Sequence, residues 1–269
     1  MNPKIEPGKI LAASWRFYIR NFIKMLPLTA ILLAIQVTGT LVGQNSNWQI
    51  ILLLLSLLAE IPLIYFIIAL IKGEECSCPQ AMGRSMPKFF PYIWVNIKIS
   101  LLTILITFLP LAFLSYLCAP LLMDNVNFIE ISTGAGNVFG AILGAFVQPW
   151  FVFAYVALFA EPFRVQYVTY SVELVKGNYW RVVTVTVITT ALFTILSYCC
   201  SMAGAYTVLT SGRLNGVFGW MLTGVNFMIS LLTGWRYAAL AIAYFQLQGR
   251  KPEADVYKRQ AWTAPGGLF

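Results

Sequence analysis

Residues 162–182 read PFRVQYVTYSVELVKGNYWRV, and this stretch predicts one short helix that leads directly into a membrane-length apolar run. Pro162 suits the first position of a helix, and Gly177 suits the residue just past its end. Four polar residues between them recur at spacings of three or four, so they share one face: Gln166, Thr169, Glu173 and Lys176. The other faces are rich in tyrosine, valine and leucine. We therefore expect an amphipathic helix at a membrane interface, anchored by Lys176, Trp180 and Arg181.

The composition indicates an integral membrane protein. Of 269 residues, 59% are hydrophobic and 10% are charged, against about 45–50% and about 25% in soluble domains. The net charge of +8 comes from basic residues that flank apolar runs, which favours an anionic membrane surface over nucleic acid as partner.

Six apolar segments are each long enough to cross a hydrocarbon core of about 30 Å. They cover 25–42, 48–71, 92–117, 138–160, 179–209 and 217–247. The sequence thus predicts an all-α, polytopic membrane protein with six transmembrane helices in one domain, residues 1–252. The tail 253–269 differs in composition and shows no periodicity, so we expect it to be disordered or non-native.

A second amphipathic pattern occupies residues 7–24, just before the first apolar segment. Its apolar face includes Trp15 at headgroup depth, and its opposite face is basic. The basic positions are Lys9, Arg16, Arg20 and Lys24. We expect a separate interfacial helix here, with a soluble helix docked on a partner as the alternative.

These patterns belong to an internal repeat. From Ser14, an asparagine follows after seven residues, an aromatic after eight and a base after ten, and Ser171 gives the same offsets. A looser copy begins at Ser85 and contains Lys88 and Trp94, with Pro87 and Pro91 interrupting the helix. The chain therefore reads as three units, each an interfacial helix followed by a transmembrane hairpin; chance similarity between apolar segments is the competing explanation.

The basic residues also predict the orientation. Fifteen of the eighteen Lys and Arg lie in the N-terminal segment, the 72–88 loop, the 161–181 loop or the C-terminal tail. The positive-inside rule places these parts in the cytoplasm. We expect a multi-pass protein of a prokaryotic inner (plasma) membrane, with both termini cytoplasmic.

Polar side chains within the apolar segments are the candidate functional residues, because a charge at bilayer depth costs a few kcal/mol or more. Glu60 precedes Pro62, Gln148 precedes Pro149 and Arg236 follows Gly234. Proline and glycine at such sites loosen the helix backbone. The three polar residues are predicted to meet in an intramembrane centre, with Glu60 and Arg236 as an ion pair that either lines a passage or clamps the bundle.

Motifs for catalysis, metal binding or cofactor binding are lacking. The chain has no histidine, which removes the usual general base and a common metal ligand. Cys76 and Cys78 supply two thiols where a closed zinc site needs four ligands. We expect no enzyme activity, no cofactor and no metal.

The segment SVELVKGNYWRV resembles the S-x-x-L-x-K-G-x-x-W-R signature of a group of six-span prokaryotic membrane proteins. That group includes the membrane domain found ahead of some glycerophosphodiester phosphodiesterases and several uncharacterised families. LAASWRFYIRNFIKMLPL and AYFQLQGRKPEA resemble it as well, so the likeness extends over residues 8–253. It implies the topology and the repeat, whereas the phosphodiesterase catalytic domain is absent here.

Two functions are compatible with these patterns. The first is a non-enzymatic module that handles or transports a small or lipid-like substrate through the polar centre. The second is a scaffold or anchor that binds lipid headgroups or a protein partner through its cytoplasmic amphipathic helices. Membrane lipids are the expected partners of either, a protein partner or a homo-oligomer fits both, and nucleic acid fits neither.

Overall fold

The computed structural model describes residues 5–42, 46–122, 144, 146–161, 166–191 and 216–249, and these residues are helical with short turns and no strand. The helices are α1 (Pro7–Val42), α2 (Ser46–Ile71), α3 (Cys78–Ser85), α4 (Phe89–Leu122), α5 (Phe146–Ala160), α6 (Tyr167–Val175), α7 (179–191) and α8 (Gly216–Leu247). The predicted all-α class is therefore confirmed. The C-terminal tail and the Cys199–Cys200 pair lie outside the described residues.

Three helical stretches among these residues are long and apolar enough to cross a membrane. They are Pro7–Ile35, Leu54–Ile71 and Cys78–Ile106, the last of which runs from α3 into α4. Phe146–Ala160 is apolar but shorter in its described part. The chain is thus a membrane protein by helix length and hydropathy, while the count of six spans stays a prediction.

The N-terminal segment differs from the sequence prediction. A separate helix over 7–24 was expected, but α1 continues without a break from Pro7 to Val42. Neither residue at the predicted boundary, Lys24 or Met25, is a glycine or a proline, so the local sequence has no helix-ending residue there. Pro27 lies inside α1, and in this turn the Thr29 hydroxyl donates to the carbonyl oxygens of Met25 (3.3 Å) and Leu26 (3.0 Å).

The segment between α2 and α4 contains the break that the sequence predicts. Helix α3 begins at a capping box, in which the Ser77 side chain and the Gln80 side chain each bind the backbone N–H of the other residue. A 3-10 turn over Met86–Lys88 contains Pro87 and separates α3 from α4. Pro91 lies in the first turn of α4 and does not interrupt it, since the N–H it lacks has no intrahelical partner at that position.

The repeat unit from which the sequence analysis began forms α6 and the start of α7. Helix α6 ends at Val175, and Gly177 adopts φ +91°, the left-handed conformation expected of a residue past a helix end. The predicted helix start at Pro162 is wrong, because Gln166 has a non-helical backbone (φ −112°, ψ 68°) and α6 begins at Tyr167; residue 162 itself lies outside the described residues. The four residues of the predicted polar face are all exposed: Gln166, Thr169, Glu173 and Lys176.

Helices α5 and α8 form the centre of the bundle. Every residue of α8 from Ala238 to Phe245 is buried, and so is nearly all of α5 from Phe151 to Ala160. A helix buried on all sides is a central one, and the four alanines in this part of α8 allow close approach of neighbouring helices. Helix α1 packs along α8 and α2.

Candidate functional site

Three polar residues lie at matching positions on three helices. Glu60 on α2 and Arg236 on α8 each lie eleven residues before the end of their helix. Gln148 on α5 lies twelve residues before Ala160. At 1.5 Å per residue, each is about 16–18 Å along its helix from that end.

The structure brings these three residues together around one cavity of about 200 Å³. Helices α2, α4, α5 and α8 all contribute to its wall. The lining residues are Glu60, Tyr92, Asn96, Ile99, Gln148, Phe151, Val152, Tyr155, Val156, Arg236, Tyr237 and Leu240. The volume suits a small polar solute or a few water molecules, since one water occupies about 30 Å³ in the liquid.

Tyrosine hydroxyls supply the direct hydrogen bonds of this site. The Tyr92 hydroxyl donates to Glu60 Oε2 at 3.1 Å, and the Tyr155 hydroxyl donates to Asn96 Oδ1 at 3.0 Å. Tyr237 also hydrogen-bonds Glu60. The Asn96 amide in turn donates to the Tyr92 carbonyl at 3.1 Å, one turn earlier on α4. The carboxylate of Glu60 is therefore held by phenols.

The predicted ion pair between Glu60 and Arg236 is not formed. Among the described residues, no N–O distance between the two side chains is within 4.0 Å. An ion pair at that distance does join Lys9 to Glu6, at 2.9 Å, at the exposed start of α1. The two charges act on each other only at longer range. The side chain next to the Glu60 carboxylate is Tyr92, whereas Arg236 was predicted to lie there.

Arg236 supplies the positive charge of the cavity lining. Its Nε is buried and has no hydrogen-bond partner among the described residues, and a buried N–H without an acceptor costs about 1–3 kcal/mol. The cavity thus combines a carboxylate bound by phenols with a guanidinium that is not in direct contact with it, which suits a small zwitterion or a polar headgroup.

Sequence reasoning missed the uncharged polar members of this site. Tyr92, Asn96, Tyr155 and Tyr237 all lie in apolar segments. Their signal in the sequence was a hydroxyl or amide within a membrane span, which needs a partner there. Identifying that partner requires knowing which helices are neighbours.

The basic and aromatic residues predicted at the interface lie apart from the cavity. Lys9, Arg16, Arg20 and Lys24 are exposed along α1, as is Trp15. Trp94, Trp180 and Lys176, which follows the end of α6, are exposed, whereas Lys88 and Arg181 are partly buried. None of these residues lines the polar cavity, so they form the outer surface of the bundle.

The cysteine pair at the start of α3 belongs to no described group of metal-binding side chains. Cys76 and Cys78 are free thiols, each partly buried. No group of three or more His, Cys, Asp or Glu side chains suited to a metal occurs within the described ranges. Burial raises the pKa of the Cys76 thiol, and Arg84 opposes that effect.

Comparison with protein-family models, with curated proteins and with solved structures gives no match to this chain. The resemblance carried by SVELVKGNYWRV therefore stays a prediction, and the function has to be argued from the site itself.

Proposed function

We propose that the chain is a non-enzymatic, six-span protein of a prokaryotic cell membrane that binds a small polar or lipid-like substrate in its intramembrane centre and moves or presents it. The observation that carries this proposal is that Glu60, Gln148 and Arg236, from three different helices, line one cavity of about 200 Å³. A purely structural clamp would bring the charges into contact and fill the space between them. Here the charges are separated and the space is open.

The chemistry of the lining favours binding over covalent catalysis. Its polar groups are a carboxylate, a guanidinium, two amides and three phenols. These groups orient and neutralise a charged solute. A zwitterion satisfies both charges at once, with its anionic group at Arg236 and its cationic group near Glu60.

The repeat supports the six-span topology within this proposal. Its three reference serines, Ser14, Ser85 and Ser171, are all fully buried, with an exposed fraction of 0%. The asparagines seven residues after the first and third, Asn21 and Asn178, are buried as well. Equivalent burial at equivalent offsets is expected of related units. Each unit would then thread a hairpin from the cytoplasm, with both termini on that side.

A thiol-labelling experiment tests whether the centre is reached by water. In a variant with the five native cysteines replaced by serine or alanine, we would compare Gln148→Cys with Leu158→Cys in intact membranes, using a charged methanethiosulfonate reagent. Both positions are on α5, but Gln148 is exposed and lines the cavity, whereas Leu158 is fully buried away from it. We expect labelling of position 148 only.

The same variants test for a substrate. Small zwitterions such as glycine and phosphoethanolamine are the probes, and at saturation they should slow the labelling at position 148. Glu60→Gln or Arg236→Gln should abolish this protection, and Lys24→Gln, an exposed position on α1, should not. No labelling of position 148 in a protein that unfolds like its parent would mean a dry centre, and equal labelling of positions 148 and 158 would mean that the reagent reaches the cavity no better than the packed core. Either result would overturn the proposal.

The scaffold function remains the second candidate, and the exposed basic side of α1 favours it. Lys9, Arg16, Arg20 and Lys24 are all exposed, and a basic surface of this kind suits anionic headgroups or an acidic partner. Under this alternative the polar centre only stabilises the bundle, which is the outcome signalled by a dry centre.

A further inference from the structure

A second concave site lies on the outside of the bundle, between the first turns of α4 and the start of α6. It is an open groove of about 1000 Å³. Apolar and aromatic side chains from α4 form one wall, and the beginning of α6 forms the other. The residues that define it are Phe90, Trp94, Lys98, Leu101, Gln166 and Thr169.

Among the described residues that line it, the groove carries one positive charge and no negative charge. Lys98 is the charged residue in its lining, and its ammonium lies 5.3 Å from the centre of the Trp94 ring. Gln166 and Thr169 add an exposed amide and an exposed hydroxyl on the opposite wall. A cation with two hydrogen-bonding neutral groups is suited to phosphate.

The position of Lys98 along α4 sets the depth of this charge. Helical side chains lean toward the helix N-terminus, so the Lys98 ammonium reaches back one turn to the level of Trp94. Tryptophan marks the headgroup level in membrane proteins. The charge therefore lies at the interface although its Cα lies deeper.

An apolar track leads from this charge toward the bilayer centre. Leu101, Leu105 and Leu109 follow at four-residue spacing, so they share one face of α4. Their side chains are 55%, 54% and 63% exposed. A headgroup bound at Lys98 would thus place its acyl chain along this row of leucines.

We propose that this groove binds one anionic phospholipid, with the phosphate at Lys98 and an acyl chain on the leucine row. Charge complementarity selects the anionic class, because phosphatidylcholine carries its own cation toward Lys98. It also argues against a second copy of the chain, since a two-fold contact through this groove would bring two Lys98 side chains together. The groove and the polar cavity lie on opposite faces of α4, so this proposal does not depend on the proposed function.

Native mass spectrometry of the purified full-length chain provides the test. The fraction carrying one added lipid would be measured in titrations with phosphatidylglycerol and with phosphatidylcholine of the same acyl chains. We expect tighter binding of phosphatidylglycerol. The substitution Lys98→Gln should weaken it about fivefold, the effect of about 1 kcal/mol for one basic residue at a membrane surface, and leave phosphatidylcholine binding unchanged.

Three variants make the result specific. Arg84→Gln removes an exposed cation outside the groove and should bind phosphatidylglycerol as the wild type does. Lys98→Arg keeps the charge and should retain the preference. Leu105→Asn interrupts the apolar row at an exposed position and should weaken both lipids.

The proposal is overturned if Lys98→Gln binds phosphatidylglycerol with wild-type affinity, or if the two lipids bind the wild type equally. A lipid-free dimer that Phe90→Ser converts to monomer would overturn it as well, because a second copy would then occupy the groove.

Discussion

The indole Nε1 of Trp235 donates a hydrogen bond to Ser14 Oγ at 3.0 Å, joining α8 to α1 across 221 residues of sequence. Both side chains are buried. The serine hydroxyl in turn donates a hydrogen bond to the Leu11 carbonyl oxygen at 2.9 Å. One hydroxyl therefore links the first helix of the described chain to its last, next to the glycine and the arginine that flank Trp235.

Removing that hydroxyl should destabilise the bundle. In Ser14→Ala the indole N–H stays buried without an acceptor, a loss of about 1–3 kcal/mol in the free energy of unfolding. Ser85→Ala is the matched control, because Ser85 is equally buried but its hydroxyl donates within its own helix to Met82, at 3.1 Å. Thermal unfolding in detergent should show a clear decrease for Ser14→Ala and a smaller one for Ser85→Ala; equal decreases would show that the link to Trp235 contributes nothing.

Gly234 should resist even the smallest side chain. A Cβ built there lies 3.1 Å from Tyr18 Cε2, and Tyr18 is buried with its hydroxyl bound to the Leu231 carbonyl at 2.6 Å. The ring cannot yield without straining that bond. Gly234→Ala should therefore lower the unfolding temperature despite the gain of about 1 kcal/mol in helix propensity.

Gly83 is the control for that gain, because a Cβ at this helical position meets nothing within 4 Å. Gly83→Ala should leave the unfolding temperature unchanged or raise it. If Gly234→Ala also raises the unfolding temperature, the contact between α1 and α8 at Tyr18 has room for a methyl group, and the prediction is wrong.

Gly234 also shows where the sequence prediction was incomplete. Its place two residues before Arg236 suggested a loosened helix backbone. In the structure α8 continues through it, and the missing side chain makes room for Tyr18 on α1. A single sequence identifies a glycine within a span but does not show which helix approaches it.

The members of the polar centre were predictable because charged and amide side chains are rare in apolar segments. Glu60, Gln148 and Arg236 were singled out by that rarity and by a neighbouring proline or glycine, and the structure brings all three to one cavity. Their partners were not predictable in the same way, because tyrosines such as Tyr92 are ordinary in membrane spans. The prediction of a Glu60–Arg236 ion pair was wrong for this reason, because the Tyr92 hydroxyl is the group that donates to Glu60.

Helix ends were predicted where the residue itself sets the backbone. Gly177 and Pro87 act locally, and both mark breaks in the structure. The boundary expected after Lys24 depended on a change from basic to apolar composition. A change in composition affects whether a helical segment lies in water or in lipid, but it does not change the backbone conformation. Helix α1 therefore continues through it.

The Cys76 thiol should react slowly. Burial raises its pKa above the usual value, while Arg84 lowers it by a smaller amount. At pH 7 to 8 less thiolate is present than in an ordinary cysteine, and the thiolate is the nucleophile. Peptide-level mass spectrometry of the folded protein should show slower alkylation of Cys76 by iodoacetamide than in the urea-unfolded chain, with the rate still rising above pH 9.

Arg84→Gln is the informative variant, since losing the cation should raise the pKa further and slow the reaction again. Lys88→Gln serves as its control, because Lys88 does not contribute to the shift. Faster alkylation in Arg84→Gln would mean that the guanidinium shields the sulfur rather than stabilising the thiolate.

The energetic coupling of Glu60 in the folded bundle should be larger with Tyr92, which contacts it directly, than with the opposite charge of Arg236. The Tyr92 hydroxyl donates directly to the carboxylate at 3.1 Å, and a hydrogen bond to a charged group contributes about 1.5–3 kcal/mol. A double-mutant cycle that combines Glu60→Gln with Tyr92→Phe should therefore give a coupling energy above about 1 kcal/mol in the free energy of unfolding. The cycle of Glu60→Gln with Arg236→Gln should give less, because no direct contact joins these side chains among the described residues. Reversed magnitudes would mean that the two charges form the clamp of the bundle and close the cavity between them, which would remove the basis for a ligand there.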